Sequence, residues 1–189
     1  MIVQLLNASH GHALILFTSY AALSGVMKRL EASELPYPLF SLERNSVQIL
    51  EQFRATPGAV LLATGAAWEG MDFPGDCVSL LIIPKLPFAY PDARQEQERV
   101  RYPSLSDFIR TVVIPDMQIK LRQGFGRAIR KETDTCVVAI LDERAAPGQR
   151  YHAATLGALP KMPVTDSLRQ TVLFFRNRKS EEYFDRSKQ

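Results

Sequence analysis

Short runs of apolar residues recur along the chain and alternate with longer stretches whose apolar residues follow a helical period. Continuous apolar runs of this length are typical of strands that are buried on both faces of a parallel sheet. The predicted strands are 13–17, 37–40, 59–64, 77–83 and 136–142, of which 37–40 is the weakest. Strands that alternate with helices indicate βαβ units, and therefore an α/β fold with a mainly parallel sheet flanked by helices.

Helices are predicted between these strands from capping residues and from apolar side chains that repeat every three or four positions. The candidate caps and first helical residues are Thr18, Ser19, Ser46, Ser104, Ser106 and Pro115. Pro115 is expected to open the helix that carries the sequence QGFGRAIR. The stretch from 84 to 103 is polar and rich in proline, so 84–114 is expected to be a helical and loop insertion. A further helix or strand is expected near 172–175.

The composition is that of one ordinary globular domain. The 189 residues are 46% hydrophobic and 23% charged, with a formal net charge of +3. We expect a domain over 1–175 and a charged, flexible tail over 176–189. No apolar run reaches the roughly 18 residues of a membrane span, and the N-terminus does not resemble a signal peptide. We therefore expect no membrane partner and a cytoplasmic location.

The cysteines and histidines do not show the spacing of a metal site or of a disulfide framework. Cys77 and Cys136 both lie in apolar runs, and the three histidines are scattered. We expect two buried thiols and no metal ligands in this chain.

The sharpest chemical signal is QGFGRAIR. If this segment is helical, Gln123, Arg127 and Arg130 fall at i, i+4 and i+7 and share one face. Guanidinium groups match phosphate oxygens in pairs, so this face suits a polyphosphate. The surrounding segment 119–131 has five basic residues and no acidic one, which attracts anions. A solvated basic helix face explains the same spacing, and the charges alone do not decide between the two.

A second candidate segment, ATGAAWEGMDFPG, directly follows a predicted strand. Ligands of parallel sheets bind beyond the carboxyl ends of the strands, where Thr64 and Gly65 could meet a phosphate. Glu69 and Asp72 could orient the arginines or accept a hydrogen bond from a ribose hydroxyl. An ordinary loop with helix-capping carboxylates is the alternative. Trp68, the only tryptophan, could stack on a base or fill the core.

These segments carry a resemblance to a known family. LFTSY at 16–20, ATGAAWEGMDFPG and QGFGRAIR resemble, in order and spacing, motifs IV, V and VI of the DinG/XPD-like superfamily 2 DNA helicases. KLPF at 85–88 and the late strand VVAILDER are similar to the DinG branch, and the similarity covers nearly the whole chain. The resemblance implies a RecA-like three-layer fold that forms the second of two motor domains.

The resemblance also implies partners and cofactors. The second motor domain would work with the N-terminal motor domain of the same full-length protein and with single-stranded DNA. ATP and Mg²⁺ would be bound mainly by that first domain, and an iron–sulfur cluster, where the protein has one, would lie there too.

The resemblance assigns roles to individual residues. Arg127 and Arg130 would reach the γ-phosphate of ATP, with Arg130 as the arginine finger, and Gln123 would assist at the phosphates or position the attacking water. The further residues on the ATP side would be Glu69, Gly70 and Asp72. The residues on the DNA side would be Thr18, Ser19, Tyr20, Thr64 and Trp68.

One absence limits the expected activity. The chain contains no Gly-Lys dipeptide and therefore no GxxxxGK[ST] phosphate loop. Asp142 and Glu143 imitate the acidic box of an ATPase, but they follow QGFGRAIR, so we interpret them as a decoy. We expect an ATP-dependent DNA helicase as the full-length protein and no activity from this chain alone. The main alternative is a non-catalytic nucleic-acid-binding adaptor with a helicase-like fold. A Rossmann-type enzyme would need a GxGxxG turn after the first strand, and LFTSY has no glycine.

Overall fold

The computed structural model describes residues 1–42, 46–68, 71, 73, 75–90, 92–129 and 135–185. Its strands are β1 (Ala13–Phe17), β2 (Leu39–Leu42), β3 (Val60–Thr64), β4 (Leu80–Ile83) and β5 (Val137–Ile140). They form one sheet in the order β2-β3-β1-β4-β5, and every neighbouring pair is parallel. The predicted α/β class and parallel sheet are confirmed.

Helices connect the strands. They are α1 (Ile2–Ala8), α2 (Tyr20–Glu31), α3 (Val47–Ala55), α4 (Ala93–Arg99), α5 (Leu105–Phe108), α6 (Ile114–Ala128), α7 (His152–Ala158), α8 (Leu168–Arg178) and α9 (Glu181–Phe184). Ser19, Ser46 and Ser104 accept hydrogen bonds from the first turns of α2, α3 and α5, as expected for N-caps. No helix in the described residues is long and apolar enough to cross a membrane.

Both faces of the sheet are covered by helices, which makes three layers. One face packs on α3, α6 and α7, with Phe53, Met117 and Leu121 buried against it. The other face packs on α1, α2 and α8, with Leu23 and Phe175 buried there. Because the strands β1, β3 and β4 are buried on both faces, their sequences are mainly continuous apolar runs and do not alternate.

Some element bounds differ from the predictions. β2 begins two residues later than the predicted 37–40, and β4 begins at Leu80 because Gly75–Cys77 forms a 3₁₀ turn. Pro115 lies in the first turn of α6, as predicted, but α6 is not separate from α5, because a π-helical turn over Ile109–Val113 joins the two. This turn lies next to a proline that has no backbone N–H to donate, and an irregular hydrogen-bond pattern there is expected.

The end of α6 corrects the predicted helical face of QGFGRAIR. The helix ends at Ala128, and Ile129 is extended with φ −130° and ψ 119°. Gln123 and Arg127 keep the predicted i, i+4 relation. The helix therefore ends before Arg130, which lies outside the described residues, so its i, i+7 relation to Gln123 stays a prediction.

The C-terminal segment also needs a correction. Residues 176–185 pack on the domain, because α8 continues to Arg178 and α9 follows it. Lys179 is buried and pairs with Asp76, with 2.6 Å between Nζ and Oδ1. The Tyr183 hydroxyl is also buried and donates to the Ser9 carbonyl at 2.8 Å. Because these partners are distant in sequence, the composition of the segment alone predicts a charged tail, whereas the structure shows residues 176–185 packed on the domain.

Candidate functional site

The carboxyl ends of β1 and β3 lie side by side at one edge of the sheet. Phe17, the last residue of β1, is paired with Thr64, the last residue of β3. Thr18, Ser19 and Tyr20 follow β1 directly and are all exposed, whereas Thr64 is mostly buried. The structure therefore brings the predicted DNA-side hydroxyls to one edge, where those of Thr18, Ser19 and Tyr20 are more accessible than that of Thr64.

Ser19 has a structural role at this edge. Its hydroxyl oxygen accepts a hydrogen bond from the Ala22 backbone N–H at 3.2 Å and caps α2. The N-terminal end of a helix carries a partial positive charge and unpaired N–H groups. A phosphate near Ser19 would meet the same end of α2.

Trp68 occupies a different place from the one expected for a DNA contact. It ends a 3₁₀ turn over Gly65–Trp68 and is 0% exposed. Its indole N–H donates to the Phe17 carbonyl oxygen at 2.9 Å. A ring without exposed surface cannot stack on a base in this conformation. The predicted base contact is therefore wrong for this conformation, and the alternative, a core side chain, is confirmed.

Arg127 joins α6 to the segment that follows Trp68. The guanidinium is half-buried; its Nε donates to the Gln123 carbonyl at 3.2 Å and its Nη1 donates to the Met71 carbonyl at 2.8 Å. A guanidinium has five N–H donors in a plane, and these two bonds fix the orientation of that plane. The structure therefore brings Arg127 next to Met71 of the WEGMDFPG segment.

Four predicted site residues lie outside the described residues. They are Glu69, Gly70, Asp72 and Arg130. Their roles stay predictions.

The rest of α6 keeps its basic character. Gln123 is half-exposed and Arg122 is exposed. Lys120 lies with its Nζ 6.0 Å from the centre of the Trp68 ring. Between Met117 and Ala128 the helix contains no acidic residue, so its accessible face favours an anion.

Asp142, interpreted from the sequence as a decoy, has a clear structural role. Its side chain is 1% exposed and accepts hydrogen bonds from the Leu86 backbone N–H at 2.9 Å and from the Arg144 Nη2 at 2.7 Å. Burial by itself raises the pKa of Asp142, but the hydrogen bonds from Arg144 and Leu86 outweigh it and lower the pKa to about 2. The carboxylate therefore joins the end of β5 to the loop after β4.

Sequence reasoning missed this connection. The signal is present in the sequence, since KLPF and the DER of VVAILDER both resemble the DinG branch. Their contact spans 56 positions and needs the parallel pairing of β4 with β5. Within the described residues no group of three or more His, Cys, Asp or Glu side chains could hold a metal ion.

Comparison with known proteins agrees with this geometry. Residues 2–162 match the helicase C-terminal domain family. The chain is 36% identical over 179 residues to the ATP-dependent DNA helicase YoaA of Escherichia coli, covering 92% of this chain and 28% of that protein. It is 32% identical over 164 residues to the ATP-dependent helicase DinG of Mycobacterium tuberculosis, covering 84% of this chain and 24% of that protein.

Two further similarities extend the comparison. The 3'-5' exonuclease DinG of Bacillus subtilis is 33% identical over 161 residues, covering 81% of this chain and 17% of that protein. A solved structure described as XPD_APO superposes with a TM-score of 0.56 at 22% identity, covering 71% of this chain and 29% of that chain, which supports the fold. The chain spans 28% or less of the length of these curated relatives. It belongs to the helicase C-terminal domain family.

Proposed function

We propose that this chain is the second motor domain of an ATP-dependent DNA helicase. It supplies the arginines that contact ATP bound to a separate N-terminal motor domain, and it forms part of the grip on single-stranded DNA. The observation that carries this proposal is the hydrogen bond from Arg127 to the Met71 carbonyl, which joins the QGFGRAIR helix to the WEGMDFPG segment.

Two backbone acceptors preorganise the Arg127 guanidinium. Because Gln123 and Met71 hold its plane, little side-chain freedom remains to be lost when phosphate oxygens bind. Positive groups held where negative charge develops stabilise the transition state for attack of water on the γ-phosphate. We assign the arginine finger to Arg130, a role that rests on the resemblance, and we assign Gln123 to the phosphates or the attacking water.

The hydrolysis of ATP would be transmitted to DNA through domain closure. Arg127 and Arg130 add charge-assisted contacts to the γ-phosphate, which draw the two motor domains together. Release of phosphate removes these contacts and lets the domains part, while Thr18, Ser19 and Tyr20 hold the DNA backbone. Mg²⁺ and most ATP contacts are assigned to the N-terminal domain, so the isolated chain should neither hydrolyse ATP nor unwind DNA.

The test is DNA-stimulated ATP hydrolysis by the full-length protein. An arginine finger contributes about 10³ to 10⁵ in rate, or roughly 4 to 7 kcal/mol. We expect Arg130→Ala to lower kcat by a factor in that range, and we expect Arg127→Ala to lower kcat markedly. Arg122→Ala, on the exposed side of the same helix, is the matched control and should stay near the wild-type rate.

Three outcomes would contradict the proposal. Normal turnover by the Arg130→Ala variant would contradict the assignment of the arginine finger to Arg130. ATPase activity of the 189-residue chain alone, above an Arg127→Ala/Arg130→Ala double variant, would contradict the division of labour. DNA binding by a full-length protein that has no ATPase activity would favour the adaptor alternative.

A further inference from the structure

The loop at 84–88 presents a single lysine at the carboxyl end of β4. Leu86 and Pro87 are buried, whereas Lys85 beside them is exposed. The Phe88 N–H donates to the Leu86 carbonyl at 2.8 Å, which closes a tight turn. Pro84 and Pro87 restrict the backbone further, because the proline ring fixes φ. The loop therefore holds Lys85 outward with few backbone alternatives.

The end of β5 holds this loop from the other side. Asp142 accepts from the Leu86 N–H, and Arg144 closes over it with its Nε 3.0 Å from the Asp142 Oδ1. The Arg144 guanidinium also lies 4.9 Å from the centre of the Phe88 ring. Because Arg144 pairs with the Asp142 carboxylate, that negative charge is compensated without Lys85. A rigid loop of this kind positions a charge at little cost in entropy.

The sheet register places Lys85 beside the proposed DNA grip. β1 lies between β3 and β4, with Phe17 paired to Thr64 and Ile15 paired to Ile82. Thr18 lies three residues after Ile15, and Lys85 lies three residues after Ile82, so both lie at the same carboxyl edge of the sheet. Neighbouring strands are about 4.8 Å apart. One nucleic-acid backbone that crosses the ends of β3, β1 and β4 would therefore pass Thr64, Thr18 and Lys85.

The negative charge of a DNA backbone at this edge would be balanced best by a cation. Thr18, Ser19 and Tyr20 offer only hydroxyl groups, whereas the backbone of DNA carries one negative charge per nucleotide. Across the part of the chain that the structure describes, Lys85 makes no ion pair. We infer that Lys85 binds a backbone phosphate of single-stranded DNA next to the LFTSY segment, held in place by Asp142 and Arg144. This inference rests on the proposed DNA-binding function.

The experiment measures binding of a fluorescent oligothymidine to the full-length protein by anisotropy at several salt concentrations. Lys85→Ala should raise Kd about three- to tenfold and lower the slope of log Kd against log salt by about 0.7, the value of one single-strand phosphate contact. Lys85→Arg should restore most of the affinity and the slope. Lys28→Ala is the matched control, since this exposed lysine lies in the last turn of α2, about 12 Å further along that helix from the edge.

The possible results separate the inference from the function beneath it. Lys85→Ala binding with the wild-type Kd and slope overturns the role of Lys85. If Tyr20→Ala weakens binding in the same series, the DNA grip itself stands. A wild-type protein that does not bind the oligothymidine overturns both the grip and the role of Lys85. A loss of affinity without a change in slope also counts against a phosphate contact.

Discussion

Gly124 packs against the indole ring of Trp68 so closely that a larger residue does not fit without a shift. A methyl group added at Gly124 would lie 2.8 Å from the ring atoms Cε3 and Cζ3 and 3.2 Å from the Leu16 Cδ1. The same indole donates its N–H to Phe17. Trp68 therefore touches LFTSY on one side and QGFGRAIR on the other. Its packing helps to fix the placement of these two segments relative to each other.

Gly124→Ala should destabilise the domain by about 1–3 kcal/mol, because the new methyl group overpacks a ring that has no room to move. The better helix propensity of alanine offsets this by at most about 1 kcal/mol. Gly126→Ala is the matched control, because nothing lies within 4 Å of a methyl group there. That variant should be neutral or slightly more stable. Urea unfolding of both variants checks the prediction, and equal midpoints would contradict it.

Trp68 should behave as a core residue in solution. Because it is the only tryptophan and is 0% exposed, its fluorescence should resist quenching by iodide, with or without single-stranded DNA. Trp68→Phe should cost about 1–3 kcal/mol, since the buried Phe17 carbonyl loses its donor. Strong quenching of the wild-type emission by iodide, or direct quenching by bound bases, would return Trp68 to the DNA-facing role.

Much of the fold could be predicted from local patterns. The strands β1, β3 and β4 are buried on both faces, so their apolar runs predict them directly, and the predicted strand 13–17 has the observed bounds. Ser19 and Ser46 were predicted as caps because their effect is confined to the next few residues. The family could be predicted for a related reason, since each of its three motifs is a contiguous segment.

The site could be predicted only in part, because the missing information is non-local. A tryptophan in such a segment suits stacking or packing, and its contacts with Gly124 and Phe17, both far away in sequence, decide for packing. The sequence AIRK at 128–131 does not predict that α6 ends at Ala128, since all four residue types are common in helices. Asp142 imitates an acidic box until its contact with Leu86 is seen.

His12 should make the stability of the domain sensitive to acid. Its Nε2 accepts the Gly58 N–H at 3.1 Å and its Nδ1 lies 3.1 Å from the His10 carbonyl, so the neutral ring satisfies both neighbours. Burial lowers the pKa of His12, although hydrogen bonds to the Ser9 and His10 carbonyls oppose this. The folded state therefore binds the proton less tightly than the unfolded chain does.

The direction of the pH effect follows from that lowered pKa. The stabilisation is fully present above the unfolded pKa of about 6.5 and is lost as the pH falls from there towards the lower pKa of the folded state. His12→Asn, which accepts the positive φ of 44° more readily than most residues, removes this titration. Urea midpoints measured from neutral to mildly acidic pH should fall more steeply for the wild type. Parallel curves for the two proteins would rule out His12 as the source.

Lys179 should anchor the C-terminal segment. Its side chain is 2% exposed, and its Nζ donates to Asp76 and to the Thr135 carbonyl at 2.9 Å. Lys179→Ala should cost about 1–2 kcal/mol, the range of a hydrogen-bonded charge. The cost stays below the roughly 3–5 kcal/mol of a fully buried pair, because Asp76 is 59% exposed and its carboxylate remains solvated.

Arg178→Ala changes the neighbouring exposed cation at the end of α8 and should alter stability by no more than about 0.5 kcal/mol. Chemical unfolding and limited proteolysis measure the difference between the two variants. Lys179→Ala should also speed cleavage within 179–185, because release of the ammonium group frees the short helix α9 that carries Tyr183. If the two alanine variants unfold and are cleaved alike, the segment behaves as the charged tail that its composition predicts, and the contact between Lys179 and Asp76 contributes nothing measurable.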